Sequence, residues 1–263
     1  MIETVSPSCY VPAFKAPEER LRSVARDYAD NYRLHEHWHD GAQLIYATSG
    51  VMELTCDEDF WMISPQQALW VPPVVQHQLK ARGNVHLRTV YLHESLLTSN
   101  FPSTPQSLVV SPLLRELILR AEPISTYTLP TSREFHHMQL LLDEIRWVHE
   151  IPLKLQMPKD GRLQKICLSL LQNPGDPRSL GDWGQWVGAS TRTLSRLFQA
   201  ELGMSFLLWR QRARVFSALP RLNQGEAIIQ IAADFGYDSA GAFSTAFRRL
   251  MGSSPRDFKS TLG

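Results

Sequence analysis

The sequence predicts an α+β protein: a β-rich N-terminal half, a helical region, and an all-α C-terminal half of two similar helical hairpins joined by a long helix. Three observations predict it. Short β-prone runs broken by turn residues fill the chain to about residue 110, helical periodicity takes over beyond that point, and one segment of the C-terminal half occurs twice.

At 263 residues the chain has room for two modest domains, each with its own core. A composition of 43% hydrophobic and 20% charged residues is that of an ordinary globular chain and excludes a disordered one. No apolar run of about 18 residues is present, so no membrane span is expected. The start "MIETVSPSCYVPAFKAPEER" lacks the basic and then apolar pattern of a secretory leader. Cys9, Cys56 and Cys167 are odd in number and widely spaced, which predicts reduced thiols in a cytoplasmic protein.

The strand runs are "LIYATSG", "VMELTCDEDFWMI", "ALWVPP" and "VHLRTVYL", rich in Val, Leu, Ile and aromatics. "CDEDFW" places acids where a hairpin turns, and Pro65, Pro72 and Pro73 fall at edges, where strands tolerate them. Trp61 and Trp70 read as core residues. Next come two helices, "SPLLRELILRA" and "TSREFHHMQLLLDEIRWVHE", the second with Thr131 or Ser132 as its N-cap. In the second, Phe135, Met138, Leu142 and Ile145 make a coiled-coil-like seam, open to two uses: packing on the chain's own strands or dimerisation. "EIPLKLQMPKDG" has two prolines and no periodicity and reads as the interdomain linker.

The repeat lies in "SLGDWGQWVGASTRTLSRLFQAELGMS" and "AIIQIAADFGYDSAGAFSTAFRRLMGSS". Leu180, Trp183, Gly184, Val187 and Gly188 align with Ile228, Ile231, Ala232, Phe235 and Gly236. After one inserted turn residue, Leu194, Phe198, Gly203 and Ser205 align with Phe243, Phe247, Gly252 and Ser254. Each copy reads as a helix-turn-helix. A first helix has one apolar face, a glycine follows where φ > 0 is favoured, and Ser190 or Asp238/Ser239 caps a second helix. Gly184 and Ala232 are small where helices must approach closely. "SFLLWRQRARVFSALPRL" is a single bridging helix that Pro220 ends or kinks near its C-terminal end. Its Arg210, Arg212 and Arg214 stay open between solvent, ion pairs and phosphates.

Charge divides along the same line. Residues 1–158 hold 13 Lys+Arg against 18 Asp+Glu, net −5, and residues 159–263 hold 14 against 8, net +6. That asymmetry is expected when only the second half meets a polyanion. Ser190, Arg192, Thr193, Arg196 and Gln199 surround the start of the first recognition helix, where base contacts are made. Arginine can bond guanine bidentately. Ser239, Ser244, Thr245 and Arg248 are the matching candidates in the second, whose short side chains suit phosphate positioning more than base reading.

From "LSRLFQAELGMS", "WRQRARVF", "IAADFGYDSAGAFSTAFRR" and "GSSPRDFK", residues 159–262 resemble the AraC/XylS-type DNA-binding domain. "ASTRTLSRLF", "WRQRAR" and "ALPRL" are similar to its NimR-like subgroup. Gly241 and Ala242 depart from the bulkier polar residue usual before Phe243. The resemblance implies a regulator that binds double-stranded promoter DNA, is a homodimer, and has RNA polymerase as a further partner.

The first half then resembles a cupin-like β-barrel over residues 1–110, with residues 111–155 as a helical dimerisation and linker region. His37, His39, Gln43 and Gly50 in "RLHEHWHDGAQLIYATSG" are similar to the first cupin signature, and "PPVVQH", ending in His77, to the second. His37 and His39, two apart, share a strand face. Gln43 replaces the glutamate usual in metallocupins, and Val74 replaces the second signature's glycine. His37, His39, Gln43 and His77 are therefore the expected effector site. Whether the three histidines hold a divalent transition metal or hydrogen-bond a small molecule stays open. No catalytic residue is expected; the alternative is a metallocupin dioxygenase or isomerase with an appended helical domain.

Overall fold

The computed structural model describes residues 9–56, 59–65, 67–145, 147 and 154–260. Two compact units result, one of Met1–Asp57 and Met62–Ile151, the other of Glu58–Trp61 and Pro152–Gly263. The turn acids Asp57 and Glu58, the end of the second predicted helix (Arg146 and residues 148–150) and linker residues 151–153 lie outside the described residues.

The first unit contains β1 (Cys9–Tyr10), β2 (Glu19–Tyr28), β3 (Arg33–Trp38), β4 (Ala42–Cys56), the end of β5 (Asp59–Ile63, whose residues 59–61 fall in the second unit), β6 (Gln67–Val71), β7 (His77–Leu92), β8 (Gln106–Val109), α1 (Pro112–Leu119), β9 (Ile124–Ser125) and α2 (Arg133–Glu144). The sixteen-residue β7 is the hub, antiparallel to β2, β3 and β4. β4 continues to β6 and β6 to β8, while β9 adds to β2. The run "LIYATSG" and the "VMELTC" that follows it are thus one strand, β4, which bends through register shifts around Ser49. Gly50 adopts φ 71° there, and a Cβ would lie 2.5 Å from the Asn84 carbonyl oxygen, so glycine is required.

Leu21, Leu44, Trp70 and Val90 form one core with Leu114, Leu117 and Ile118 of α1 and Met138 and Leu141 of α2. Ile145 is buried in it, and Phe135 and Leu142 pack against it. The α2 seam is therefore spent on the chain's own sheet. Residues 111–155, expected as a helical dimerisation and linker region, hold β9 and the start of the strand described next beside the two helices.

That strand, β10 (Lys154–Gln156), belongs to the second unit and pairs antiparallel with residues 59–61. Within the segment predicted as an aperiodic linker, residues 154–156 are held as a strand because Leu155 is fully buried and because the Gln156 carbonyl accepts from the Trp209 indole N–H at 2.9 Å. Seven helices follow: α3 (Gly161–Gln172), α4 (Leu180–Val187), α5 (Thr191–Leu202), α6 (Phe206–Asn223), α7 (Ile228–Asp234), α8 (Ala240–Met251) and α9 (Pro255–Ser260). Ser179 and Asp182 close a capping box on α4, and Ser190, Ser205 and Ser239 cap α5, α6 and α8. Trp183, Phe198, Trp209, Phe216, Phe243 and Phe247 are fully buried, each contributing about 1.5–3 kcal/mol of burial. The eighteen-residue α6 is about 27 Å long, and Pro220 sits three residues from its end.

Candidate effector pocket and nucleic-acid interface

His37, one residue before the end of β3, lies opposite its register partner His77, and His39 follows just beyond Trp38. The three rings lie 4.4–5.5 Å apart between centroids, and one nitrogen from each falls within 4.8 Å of the others. Trp38 turns away and packs against Tyr10. Each Nδ1 meets a backbone carbonyl: His35 at 2.7 Å, Val11 at 2.6 Å and Val75 at 2.9 Å, for His37, His39 and His77 in turn. A carbonyl only accepts, so Nδ1 carries the proton and the Nε2 lone pair is left available. The Nε2 atoms of His39 and His77 are buried without a hydrogen-bond partner among the described residues.

Burial pushes the His39 imidazole down to about 4 and that of His77 to about 3, and lowers His37. The cluster is thus neutral at pH 7. Gln43 donates from Nε2 to the Tyr91 hydroxyl at 3.4 Å, while its buried Oε1 has no hydrogen-bond partner among the described residues. The Nε2 atoms of His39 and His77 and the Gln43 Oε1 are thus acceptors left without a donor. Such a donor set, with its Nδ1–H groups fixed by carbonyls, fits a divalent transition ion. The acids of "HEHWHD" do not join it. Glu36 is exposed, and Asp40 accepts from the Tyr10 hydroxyl and the Ala13 N–H.

Above the floor lies a cavity of about 250 Å³. Val24, Arg26 and Tyr28 line it from β2 and Leu79, Leu87, Thr89 and Tyr91 from β7, with Cys9 and Val11 at another wall. Sequence reasoning missed Arg26 and Tyr91. The signal was there, since Val24, Arg26 and Tyr28 alternate along one strand face. Val74 adopts φ 65° and its N–H donates to the His39 carbonyl at 2.8 Å. A β-branched residue in this left-handed region costs about 1–2 kcal/mol, which explains why glycine suits the position in the cupin pattern. His86, His93 and His137 hydrogen-bond Asp27, Ser95 and the Leu117 carbonyl and stand outside the cluster.

In the second unit, Arg192, Arg196 and Gln199 are exposed along α5 while Leu194 and Phe198 are buried beneath them. Ser190 accepts from the Thr193 N–H and shares a hydroxyl contact with the Thr193 side chain, so both organise the helix start. On α8, Thr245, Arg248 and Arg249 are exposed. Ser239 caps, and the hydroxyls of Ser244 and Thr245 donate back to the Ala240 and Gly241 carbonyls, leaving only acceptor capacity outward. Gly188 and Gly236 have φ 69° and 70°, as the turn pattern requires. Of the bridging arginines, Arg210 donates to the Arg178 carbonyl and Arg214 to the carbonyls of Pro174 and Gly236. They tie loops together.

Residues 23–125 match the model of the AraC-like ligand binding domain, and residues 183–261 that of a helix-turn-helix domain. The HTH-type transcriptional regulator NimR of Escherichia coli is 32% identical over 83% of this chain and 80% of its own. The chain belongs to the AraC family of transcriptional regulators. Its first unit is the ligand-binding domain of the family and its helical unit the DNA-binding domain. The arabinose operon regulatory protein of E. coli is 30% identical over 46% of this regulator and 41% of its own length. A crystal structure of ToxT from Vibrio cholerae aligns at a TM-score of 0.39 and 12% identity, over 92% of this chain and 98% of that one. Among the described residues no helix is long and apolar enough to cross a membrane.

Proposed function

We propose that this regulator is a cytoplasmic, homodimeric sensor whose cavity holds its effector against His37, His39, Gln43 and His77, and whose α5 and α8 engage promoter DNA. Arg192, Arg196 and Gln199 read bases, Ser190, Thr193 and Ser239 set the helix starts, and Ser244, Thr245 and Arg248 position the backbone. RNA polymerase is a further partner at the promoter. The observation that carries the sensing role is that two unpartnered, buried acceptors, His39 Nε2 and Gln43 Oε1, belong to residues lining one cavity of a DNA-binding chain, with His77 packed against His37 and His39 behind them. Such atoms are costly unless something answers them.

We infer further that His37, His39 and His77 hold a divalent transition ion through Nε2. Bound, the ion supplies a fixed positive charge at the cavity floor. The chain's own part is to orient the imidazoles by their Nδ1–H bonds and to keep them neutral by burial. The role is sensory, because the position where a metallocupin carries an acid is the amide Gln43. The effector switches the protein by binding one arrangement of the domains more tightly than the other.

Promoter output and metal content of His39→Ala test this together. The variant is expected to lose the response to the inducing condition, keep DNA affinity in one fixed state, and carry less metal than the parent. A variant that still switches normally would assign sensing to other residues.

A further inference from the structure

Two polar groups line the cavity at different levels along β7. Arg26 stands opposite Leu87 and Gln43 opposite Tyr91, with Val24 opposite Thr89 between them. Arg26 comes from β2 on the same face as Val24 and Tyr28, and its guanidinium lies near the phenols of Tyr28, Tyr91 and Tyr32. No ion pair between described residues includes it. Arg33, opposite Lys80 in register, adds a second cation to the lining, against the single acid Glu36. The Gln43 Oε1 is a buried acceptor lacking a donor. Val24, Leu79 and Leu87 supply apolar lining.

An arginine on the cavity face of a strand, answered by phenols and no acid, is a receptor for an oxyanion. A lone amide oxygen at the Tyr91 level calls for an O–H or N–H. The volume, about 250 Å³, has room for a single-ring acid.

We propose that the effector is a small organic carboxylate carrying an O–H or N–H donor beyond an apolar body, with its acid on Arg26 and its donor on the Gln43 Oε1. The assignment rests on reading this cavity as the effector site. It makes Arg26 the residue that selects for charge and Gln43 the one that selects for the donor.

Calorimetry on the full-length protein with three probes tests it: 4-hydroxyphenylacetate, its neutral amide 4-hydroxyphenylacetamide, and phenylacetate, which lacks the hydroxyl. 4-Hydroxyphenylacetate is expected to bind most tightly. Arg26→Gln should weaken it about ten- to a hundredfold, the range given by losing a hydrogen bond to a charged group, a larger loss than for the amide, with the metal content unchanged. Gln43→Leu should remove the preference of 4-hydroxyphenylacetate over phenylacetate. Equal binding of the amide and the acid, no binding of either carboxylate at millimolar concentration, or a preference for the acid untouched by Arg26→Gln would each overturn the assignment. Fluorescence anisotropy on promoter DNA, run beside the calorimetry, separates the two layers. Arg26-dependent binding of 4-hydroxyphenylacetate that leaves DNA affinity unchanged would uphold the ligand class and sink the sensing role.

Discussion

The two helix-turn-helix units share buried positions and differ in nearly everything else. Trp183 and Ile231, Leu194 and Phe243, and Phe198 and Phe247 are fully buried equivalents. Both turns are closed by the same bond, from Ala189 to the Gly184 carbonyl in one and from Tyr237 to the Ala232 carbonyl in the other. Yet a Cβ on Gly184 would collide with the Ala189 carbonyl oxygen, whereas Ala232 carries that methyl. The one-residue insertion after Gly236 accompanies the difference. In the first unit, Arg178 stacks 3.5 Å over the Trp183 ring and pairs with Asp176, a brace on a ring that Ile231 lacks. Duplication has copied the core, which packing constrains, and left the surface free to diverge. The result is one helix with long exposed donors from its first turn, Arg192 and Arg196, and one whose earlier positions Ser244 and Thr245 turn back on their own backbone, its arginines Arg248 and Arg249 coming only in the last turn.

The comparison can be broken in three ways. The largest effect is expected from Arg196→Ala, which should cost about 1–3 kcal/mol of specific binding and relax preference at one base pair. Thr245→Ala, in contrast, should stay within about 0.5 kcal/mol. Anisotropy on a selected operator measures both, and equal losses would erase the ranking of α5 over α8. Next, Gly184→Ala should destabilise the protein by about 1–3 kcal/mol through overpacking. The reverse change in the second unit, Ala232→Gly, should cost at most about 1 kcal/mol of helix propensity. Thermal denaturation that showed equal shifts would mean the inserted residue does not relax the second turn. The smallest effect is Arg248→Ala, expected to weaken all sequences alike and to lower the salt slope of binding by about 1. A sequence-dependent loss would make the second helix a base reader.

The helical unit was legible in the sequence because its buried residues recur at fixed spacing and its caps are local. Ser190, Ser205 and the glycines at positive φ act within four residues of where they stand. The sheet was less so. β2, "ERLRSVARDY", hides its strand character behind arginines, whose charges Arg20 and Arg22 resolve by bonding carbonyls of Pro17, Glu19 and Ala13, partners no local pattern announces. β10 escaped because three residues between prolines carry no period, and its order comes from Leu155 and from Trp209, 53 positions away from Gln156. In the pocket, the histidines follow from their spacing and cupin likeness. Arg26 and Tyr91 depend on which strand lies beside which, and that is set by register.

Arg214 has a mechanical consequence. From the middle of α6 its guanidinium holds the Pro174 carbonyl, ahead of the first unit, and the Gly236 carbonyl, in the turn of the second. One side chain thus links the loop ahead of one reader to the elbow of the other, with α6 running unbroken between them. A gap held in this way is expected to make the helical unit a caliper. On a duplex of 10–10.5 base pairs per turn, inserting one base pair between the two contacted segments should rotate the second out of reach by about 35°, and the strain of closing that error would fall on the DNA. Promoters for this regulator are then expected to be selected for the phase between their two contacted grooves as well as for the bases within them.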